Sequence, residues 1–556
     1  MRKVIPIICA IILILLSGCV PLDGFIEDPE IPREIARQII TPWIRTVGDS
    51  ASSASAGVEY NHMTIDSFGN IYIVGTLEGN YVYDFGNGVT ANGVKESPYK
   101  NGVLVKYDKN GSALWARTAL AGSYGDFNSV AVDNFGNVYI TGAQGGSGVF
   151  NYGNGVNISG ISGSKNAVLI KYNTDGQAQW ARMIEKASPD DGYRNSSFNS
   201  VAVASDGNVY VAGNIHFTTS TGAIPSEYTY YFGPNSTVEA KVIYGSNGTN
   251  STGINSVLVK YNSVGDPQWA RTVKSGTVGY YLKDSSFSSV AVFGTGDFID
   301  IYVAGYQDTA TEYRYDPQVL GSGQLLKASG AGRNSVLLKY TPTGHISWVR
   351  TVLENTGSSK FNSIAVDSSG DVYAVGHQAT TGNFKYGAAN GDGVSVAATN
   401  GYVSDSRDYG NSVIVKFRRN GTAEWARTIM EGISHSTYHS VTIDNSGNIF
   451  TAGYQYNGSD FKYGNNVVVN GAYNHNTFHA PNAVVVMYNA DGEAKHAMLA
   501  REAAGYSEYN SVAVDNHGNV YIIGILGWGN FDLDNGSGPF FGDGAVLVKY
   551  PAARFE

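Results

Sequence analysis

The chain has 556 residues, a formal net charge of −10, 69 glycines, 38 tyrosines and only 15 prolines. This composition is typical of a large all-β protein with many tight turns. An acidic chain without a basic stripe excludes nucleic acid as the expected partner, and no polybasic segment suits an anionic membrane surface.

The N-terminal sequence MRKVIPIICAIILILLSGC predicts an export signal, because two cations precede a short apolar run and then small residues. We assign residues 1–18 to the signal peptide. The ending Leu16-Ser17-Gly18-Cys19 resembles the lipobox of bacterial lipoproteins, which implies cleavage before Cys19 and acyl chains on it. Residues 19–39 are then the lipidated cysteine and a tether to the membrane. The alternative is an ordinary signal peptide that contains a cysteine.

The predicted location is the bacterial outer membrane, at the cell surface or on the periplasmic side. Val20 follows the lipidated cysteine, and the absence of Asp there is compatible with outer-membrane sorting. Cys9 lies inside the signal, so the mature chain retains Cys19 alone and forms no internal disulfide. A large exported fold must then be held by its core and topology.

One sequence pattern recurs seven times and predicts a four-stranded antiparallel unit. In one copy, FNSVAVD (127–133), GNVYITG (136–142) and AVLIKY (167–172) are three strands, and a tryptophan-containing segment is the fourth. Seven sheets that cannot bury both faces alone fit an all-β, seven-bladed β-propeller over residues 40–550, with 551–556 as a tail. The chain here resembles the bacterial seven-bladed β-propeller repeat (SBBP-like) family, which implies an architecture and little about function.

The segment TPWIRTVG (41–48) looks like the end of a repeat placed before the first repeat. The last unit, in turn, stops after its third strand at Tyr550. We therefore predict that residues 40–47 are the outermost strand of the seventh blade and close the ring, which also removes an exposed sheet edge.

The fourth strands carry a repeated tryptophan, which we interpret as structural filling between neighbouring blades. Alternatives are the Asp-boxes of sialidase propellers, which TDGQAQW (174–180) resembles, and the docking motifs of quinoprotein-type propellers. In the sixth unit His496 replaces the tryptophan, so different packing is expected there. Arginines two residues later are predicted to bond to carboxylates or carbonyls of adjacent strands. The tryptophans are Trp43, Trp115, Trp180, Trp269, Trp348 and Trp425.

Loop lengths predict two different faces. Turns between strands one and two, and three and four, are short and lie on what we call the plain face. Connections between strands two and three, and from blade to blade, are long and lie on the opposite, elaborated face. Binding residues concentrate on such loops over a rigid scaffold.

Candidate ligand-binding residues were sought on the elaborated face. A polar ring is expected at the mouth of the central channel, completed by Ser288; either it caps neighbouring backbone or its side chains converge on a ligand. The long insertions contain tyrosines that, if exposed, suit contact with protein or sugar, or else pack their own hairpins. These candidates are Asn61, Asn128, Asn199, Asn362, His439 and Asn510 in the ring, and Tyr228, Tyr230 and Tyr313 in the insertions.

No cofactor is expected, since the chain has no metalloprotease, nucleophile-elbow or phosphate-loop motif. Asp532 and Asp534 in DLDNGSG are a weak Ca²⁺ candidate, because the later bidentate glutamate is missing. We therefore assign no metal.

The predicted function is a non-catalytic binding or scaffold module with a protein or carbohydrate ligand. One alternative is a hydrolase or lyase acting on glycans, which needs carboxylates such as Asp190, Asp191 or Glu227 to converge near the axis. Another is a periplasmic factor for outer-membrane assembly.

Overall fold

The computed structural model describes residues 41–49, 57–161, 165–188, 195–218, 227–233, 238–243, 252–275, 284–308, 312–315, 325–327, 332–354, 357–379, 382–387, 393–397, 410–432, 434–456, 460–471, 481–502 and 506–555. Within these ranges, seven antiparallel sheets form a closed ring, which confirms the predicted seven-bladed propeller. The signal peptide, Cys19 and the tether lie outside the described residues. Neither of the two short 3₁₀ helices in the described part, Gly296–Phe298 and Ala552–Arg554, could cross a membrane.

Each blade contains four strands that pair in chain order. The strands of blades 1 to 3 are Val58–Ile65, Ile71–Glu78, Lys100–Tyr107 and Ala113–Thr118; Gly125–Val132, Val138–Gly145, Lys165–Tyr172 and Ala178–Ser188; and Ser196–Val203, Val209–Thr218, Thr252–Tyr261 and Pro267–Ser275. Those of blades 4 to 6 are Ser285–Phe293, Asp300–Asp308, Arg333–Tyr340 and Ile346–Glu354; Ser359–Val366, Val372–Gln378, Asn411–Phe417 and Ala423–Thr428; and Ser436–Ile443, Ile449–Tyr456, Pro481–Tyr488 and Ala494–Leu499.

The ring is closed by the first strand of the chain. Blade 7 consists of Ser507–Val514, Val520–Asp532, Phe540–Tyr550 and, outermost, Trp43–Thr46. Trp43 lies opposite Lys549 and Thr46 opposite Val546. This bears out the predicted closure, although the paired strand is shorter than the proposed 40–47.

Strands two and three of a blade are buried on both sides. In Ile71–Glu78, for example, every residue except the last is buried. First strands of neighbouring blades contact one another, so they are innermost. Each sheet therefore buries its two faces against the blades before and after it, which explains the nearly continuous Val, Ile and Leu of these strands.

The tryptophans lie between blades, as predicted. Trp115, Lys106 and Tyr72 stand side by side on three strands of blade 1, and the ring centres of Tyr72 and Trp115 are 6.2 Å apart. The indole N–H of Trp115 donates to the carbonyl of Thr174 in blade 2, at 3.2 Å. The same stacking repeats at Trp43, Trp180, Trp269, Trp348 and Trp425.

The repeated arginines lock each blade to the next. Arg117 donates through Nε to the carbonyl of Gly176 at 2.7 Å and through Nη2 to that of Asp175 at 2.9 Å, both in the plain-face turn of blade 2. The acceptors are backbone carbonyls of a turn, rather than carboxylates. The same bonds are made by Arg45, Arg182, Arg271, Arg350 and Arg427.

The junction between blades 6 and 7 is packed differently, as His496 led us to expect. Met498 occupies the arginine position, and the third strand of blade 7 is followed by the 3₁₀ helix Ala552–Arg554 instead of the turn that binds an arginine at the other junctions. The C-terminal Phe555 instead packs edge-on against Phe450, with ring centres 5.1 Å apart, and is nearly fully buried. The predicted tail thus fills this junction.

Deletion of residues 40–48 is expected to lower the midpoint of thermal unfolding. The deletion removes the partly buried ring of Trp43, the hydrogen bonds from Arg45 to the turn of blade 1, and the strand that covers the edge of blade 7. A loss of about 5 kcal/mol corresponds to roughly 5 °C in a chain of this size. Differential scanning calorimetry measures this, and a melting curve identical to that of the intact chain would contradict the closure. The exchange Leu114→Ser, on an exposed part of the fourth strand of blade 1, is the control.

Candidate functional site

The asparagines of the predicted polar ring bond to the neighbouring blade. Asn61 donates through Nδ2 to the carbonyl of Phe127, at 2.8 Å. Asn128, Asn199, Asn362 and Asn510 make the same bond to the carbonyls of Phe198, Phe287, Tyr438 and Tyr60. The side-chain amides therefore support neighbouring backbone, which was one of the two interpretations, and the amide hydrogens are not aimed at a ligand.

A bulge in each first strand places these asparagines. Pairing slips between Tyr60 and His62, so Asn61 has no partner across the sheet. Gly75 lies opposite the bulge, where a Cβ atom would come within 1.9 Å of the carbonyl oxygen of Glu59. Glycine is therefore required at this position, and the same close approach occurs at Gly142, Gly213, Gly305, Gly376, Gly453 and Gly524.

The residue after the asparagine forms a second bond between blades. In most units it is serine, as where Ser129 accepts from the backbone N–H of Val201 at 3.3 Å. In blade 1 it is His62, whose Nδ1 accepts from Val130 at 3.3 Å. Burial lowers the pKa of His62 to about 4, so its imidazole is neutral in the folded protein.

His439 replaces asparagine in blade 6. Its Nδ1 lies 3.2 Å from Oε1 of Glu508 in blade 7, and its ring packs against Tyr454 at 5.5 Å. Burial lowers the pKa of His439, while the Glu508 carboxylate acts in the opposite direction. This member of the ring also joins two blades.

Of the two interpretations of the insertion tyrosines, packing within the protein holds for two of the three candidates. Tyr313 is fully buried and donates to the carbonyl of Asp308 at 2.8 Å, and Tyr230 is buried and donates to that of His216. Both pack their own hairpins, which was the alternative. Tyr228 lies in the same strand as Tyr230, opposite Val242, and its side chain is outside the described part.

The insertions are hairpins, and each one also pairs through its backbone with the segment at the end of the outer strand of the blade before it. Glu227–Phe232 in the blade 3 insertion pairs with the end of the outer strand of blade 2. A corresponding pairing is present at each of the remaining six junctions. It is made by strands at Gly48–Asp49, Glu312–Tyr315, Asn383–Gly387 and Arg501–Glu502, and by single bridges at Ala121–Asn151 and Glu431–Lys462.

The calcium candidate is a hairpin turn of this repeated kind. Asp532 accepts from the N–H of Asp534 at 2.9 Å, as Asp84 accepts from Gly86 at 2.8 Å in blade 1. The carboxylate thus has a turn-forming role. Among the described residues, no group of three or more His, Cys, Asp or Glu is placed to hold a metal ion.

Functional residues are therefore better sought among positions that differ from blade to blade. One such position, directly before the inner aromatic residue, forms a ring near the start of the first strands on the elaborated face. Sequence analysis missed it, although its variation within an otherwise regular repeat was a usable signal. Its members are Glu59, Asp126, Ser197, Ser286, Lys360, Thr437 and Glu508.

The junction of blades 1 and 2 carries the most distinctive group at this mouth, which we call the 1/2 cleft: Glu59, Glu78, Ser97, Tyr99, Lys100 and Tyr124. Lys100 lies 2.5 Å from the Glu59 carboxylate, and both side chains are more than 40% exposed. Ser97 donates to Glu78 at 2.7 Å.

Two tyrosines cross the same junction. Tyr99 of blade 1 stacks on Tyr124 of blade 2, with ring centres 5.5 Å apart and planes 24° apart. Tyr99 remains 51% exposed. The 1/2 cleft thus combines an exposed aromatic platform with a paired acid and base; the acid–base pair recurs in blade 2 as Asp126 and Lys165, whereas the tyrosine stack does not belong to the repeat.

Comparison with known proteins supports the repeat. The SBBP beta-propeller repeat model matches residues 37–76, so the chain carries this repeat. An uncharacterized WD repeat-containing protein of Acanthamoeba polyphaga mimivirus is 27% identical over 238 residues, which is 37% of this chain and 15% of the viral protein. The chain therefore spans only a small part of that relative.

Several solved structures align with this chain at low identity. A Bacteroides caccae protein of unknown function aligns with 71% of this chain and 97% of its own at 10% identity and a TM-score of 0.27. A Dyadobacter fermentans protein of unknown function aligns with 76% and 94% at 12% identity and 0.31. The NanB sialidase of Streptococcus pneumoniae aligns with 92% and 71% at 10% identity and 0.35.

A double-mutant cycle tests how the hairpins are fixed to their blades. Tyr463 donates to Oε1 of the buried Gln455 at 2.7 Å, whereas the equivalent pair in blade 1 is the apolar Leu77 and Phe85. Tyr463→Phe and Gln455→Leu should each cost about 1–3 kcal/mol, since each leaves a buried polar group without its partner. The double variant should recover most of this loss in chemical unfolding, and additive losses would contradict the pairing.

His62 is expected to make stability depend on pH. The unfolded histidine binds a proton near pH 6.5, and the folded one only near 4. The free energy of unfolding should therefore fall by up to about 3 kcal/mol from this residue as the pH drops through that window. His62→Ser, which copies the other blades, should flatten that part of the curve in urea unfolding at stepped pH. An equal decline in both proteins would contradict the assignment.

Proposed function

We propose that this protein is an exported, lipid-anchored, non-catalytic module that binds an uncharged carbohydrate in the 1/2 cleft. The exposed stack of Tyr99 and Tyr124 beside the Glu59–Lys100 pair carries this proposal. Tyrosine offers a large, rigid, amphipathic surface at low conformational cost, which suits the apolar face of a sugar ring.

The polar side of the cleft suits hydroxyl groups. Glu59 and Glu78 supply acceptors, while Lys100 and Ser97 supply donors. Because the Glu59 carboxylate already has a cation beside it, the pair offers both donors and acceptors without a net charge to neutralise. An uncharged polyol is better matched to such a pair than an acidic or a basic ligand, whose charge one partner would repel.

Binding is favoured over hydrolysis by the state of the mouth carboxylates. Glycoside hydrolysis needs one carboxyl group that donates a proton and a second that acts as base or nucleophile. Glu59 is paired with Lys100, Asp126 with Lys165 and Glu508 with His439. Asp190 and Asp191, the earlier catalytic candidates, lie outside the described residues, as does the side chain of Glu227.

The lipid anchor is proposed from the Cys19 motif. Cys19→Ser is expected to abolish acylation and to release the protein from the membrane fraction, because the acyl chains on Cys19 supply the proposed anchor. Intact-mass measurement of the mature chain and fractionation of cells check this. Acyl mass retained in the variant would refute the assignment to Cys19.

Glycan binding by the detergent-solubilised full chain tests the cleft. Neutral oligosaccharides are expected to bind on an array, and Tyr99→Ala should weaken binding about tenfold or more in calorimetry, because the sugar loses its stacking surface. The control is Phe135→Ala, an exposed aromatic of blade 2 on the plain face. Equal losses in both variants, or a preference for acidic glycans or proteins, would refute the proposal.

A further inference from the structure

Exposed apolar side chains stand on the plain face of four consecutive blades. Phe68 in blade 1 is 78% exposed, and Phe135 in blade 2 and Phe298 in blade 4 are each 82% exposed. Val264 of blade 3 is 60% exposed. Each lies in a short turn with more than half of its surface exposed; Val264 is in the turn between strands three and four, and blade 3 has Asp206 at the position that corresponds to Phe68.

The fold does not require phenylalanine at these tips. The backbone N–H of Phe68 donates to Oδ1 of Asp66 at 2.9 Å. The equivalent turns of blades 5, 6 and 7 make the same bond with Ser369, Ser446 and His517 at the tip. A polar residue therefore supports the same turn, and the aromatic rings of blades 1 and 2 need another explanation.

The chain enters the propeller on this same face. Trp43 lies opposite Lys549, next to the end of the blade 7 strand that reaches the plain face at Tyr550. The Trp43 ring lies against Gly111, in a plain-face turn of blade 1. Lys109, in the same turn as Gly111, lies against Gly69, which follows Phe68 in the chain. The segment that leads back to Cys19 thus joins the ring beside the first exposed phenylalanine.

We propose that the plain face of blades 1 to 4 lies on the lipid surface, with Phe68, Phe135 and Phe298 in the boundary between headgroups and acyl chains. The inference rests on the proposed anchor at Cys19, whose tether of some twenty residues ends at this face. Phenylalanine is among the apolar side chains by which interfacial segments insert into the boundary between headgroups and acyl chains. Carboxylates such as Asp66, Asp108 and Asp133 on the same face accept hydrogen bonds within their turns. The proposed contact with lipid is made by apolar side chains, so it should be insensitive to salt.

This orientation has a consequence for the other face. With the plain face on the membrane, the 1/2 cleft opens away from it and is accessible to a large polymer. The anchor and the exposed apolar turns then lie on the membrane side of the propeller, and the 1/2 cleft lies on the opposite side.

Depth measurements on the full-length protein test the orientation. Single exchanges Phe68→Cys, Phe135→Cys and Tyr99→Cys would carry an environment-sensitive thiol probe, since Cys19 is acylated and Cys9 is removed with the signal. In phosphatidylcholine vesicles with brominated acyl chains, the probe at 68 and 135 should lose about half its emission or more, and the probe at 99, on the elaborated face, should lose none. Added salt should change neither result.

The inference would be overturned if the probes at 68 and 135 were not quenched, or if the probe at 99 were quenched equally. A spectral shift at 68 that occurs without vesicles would also overturn it, because it would show contact with protein instead of lipid. If the mature protein had no acyl mass but its probes at 68 and 135 were still quenched by added vesicles, only the proposed anchor at Cys19 would be refuted. Phe68→Ser combined with Phe135→Ser should lower vesicle partitioning of the non-acylated Cys19→Ser chain about tenfold or more, with melting unchanged.

Discussion

The propeller depends on the bonds between successive blades. A four-stranded sheet on its own leaves two apolar faces exposed, so each blade is stable only between two others. Three sets of side chains fix that arrangement from the centre to the rim: the bulge asparagines and serines, the stacked tryptophans, and the arginines. Nearly all of them bond to backbone carbonyl or N–H groups of the next blade. These backbone donors and acceptors do not depend on which side chains the next blade carries, so the blades can vary without loss of the bonds between them.

The junction of blades 6 and 7 shows what happens when one of these sets is missing. His496 and Met498 stand where other blades have tryptophan and arginine, and the 3₁₀ helix Ala552–Arg554 follows the third strand of blade 7 in place of the repeated turn. Phe555 fills the space against Phe450. Both ends of the described part are therefore structural: one supplies the outer strand of blade 7, and the other packs the junction before it.

The fold could be predicted from sequence because a strand pattern repeated seven times leaves few alternatives, and because Trp43 marked a surplus fourth strand. The insertions could not be predicted as well. A tyrosine in a loop looks exposed when only its own segment is considered, yet Tyr315 donates to the buried Gln307. In blades that have leucine or isoleucine in place of this glutamine, the residue at the tyrosine position is apolar. That pairing across the repeats was readable in principle. Tyr99 was missed because it lies outside the repeat and shares no pattern with other blades.

The distinction between repeated and varying positions separates scaffold from function. Residues that recur in nearly every blade, such as Asn61 and Arg117, have their polar groups occupied by neighbouring backbone. Some residues at the varying positions also bond to the neighbouring blade, as Glu508 does to His439, but their types change from blade to blade. These positions vary in different ways on the two faces. On the elaborated face the variation brings together charges, hydroxyls and an exposed tyrosine stack, whereas on the plain face it exchanges serine for phenylalanine. One face is suited to a polar ligand and the other to an apolar surface, and the rigid ring between them holds the two contacts on opposite sides of one body.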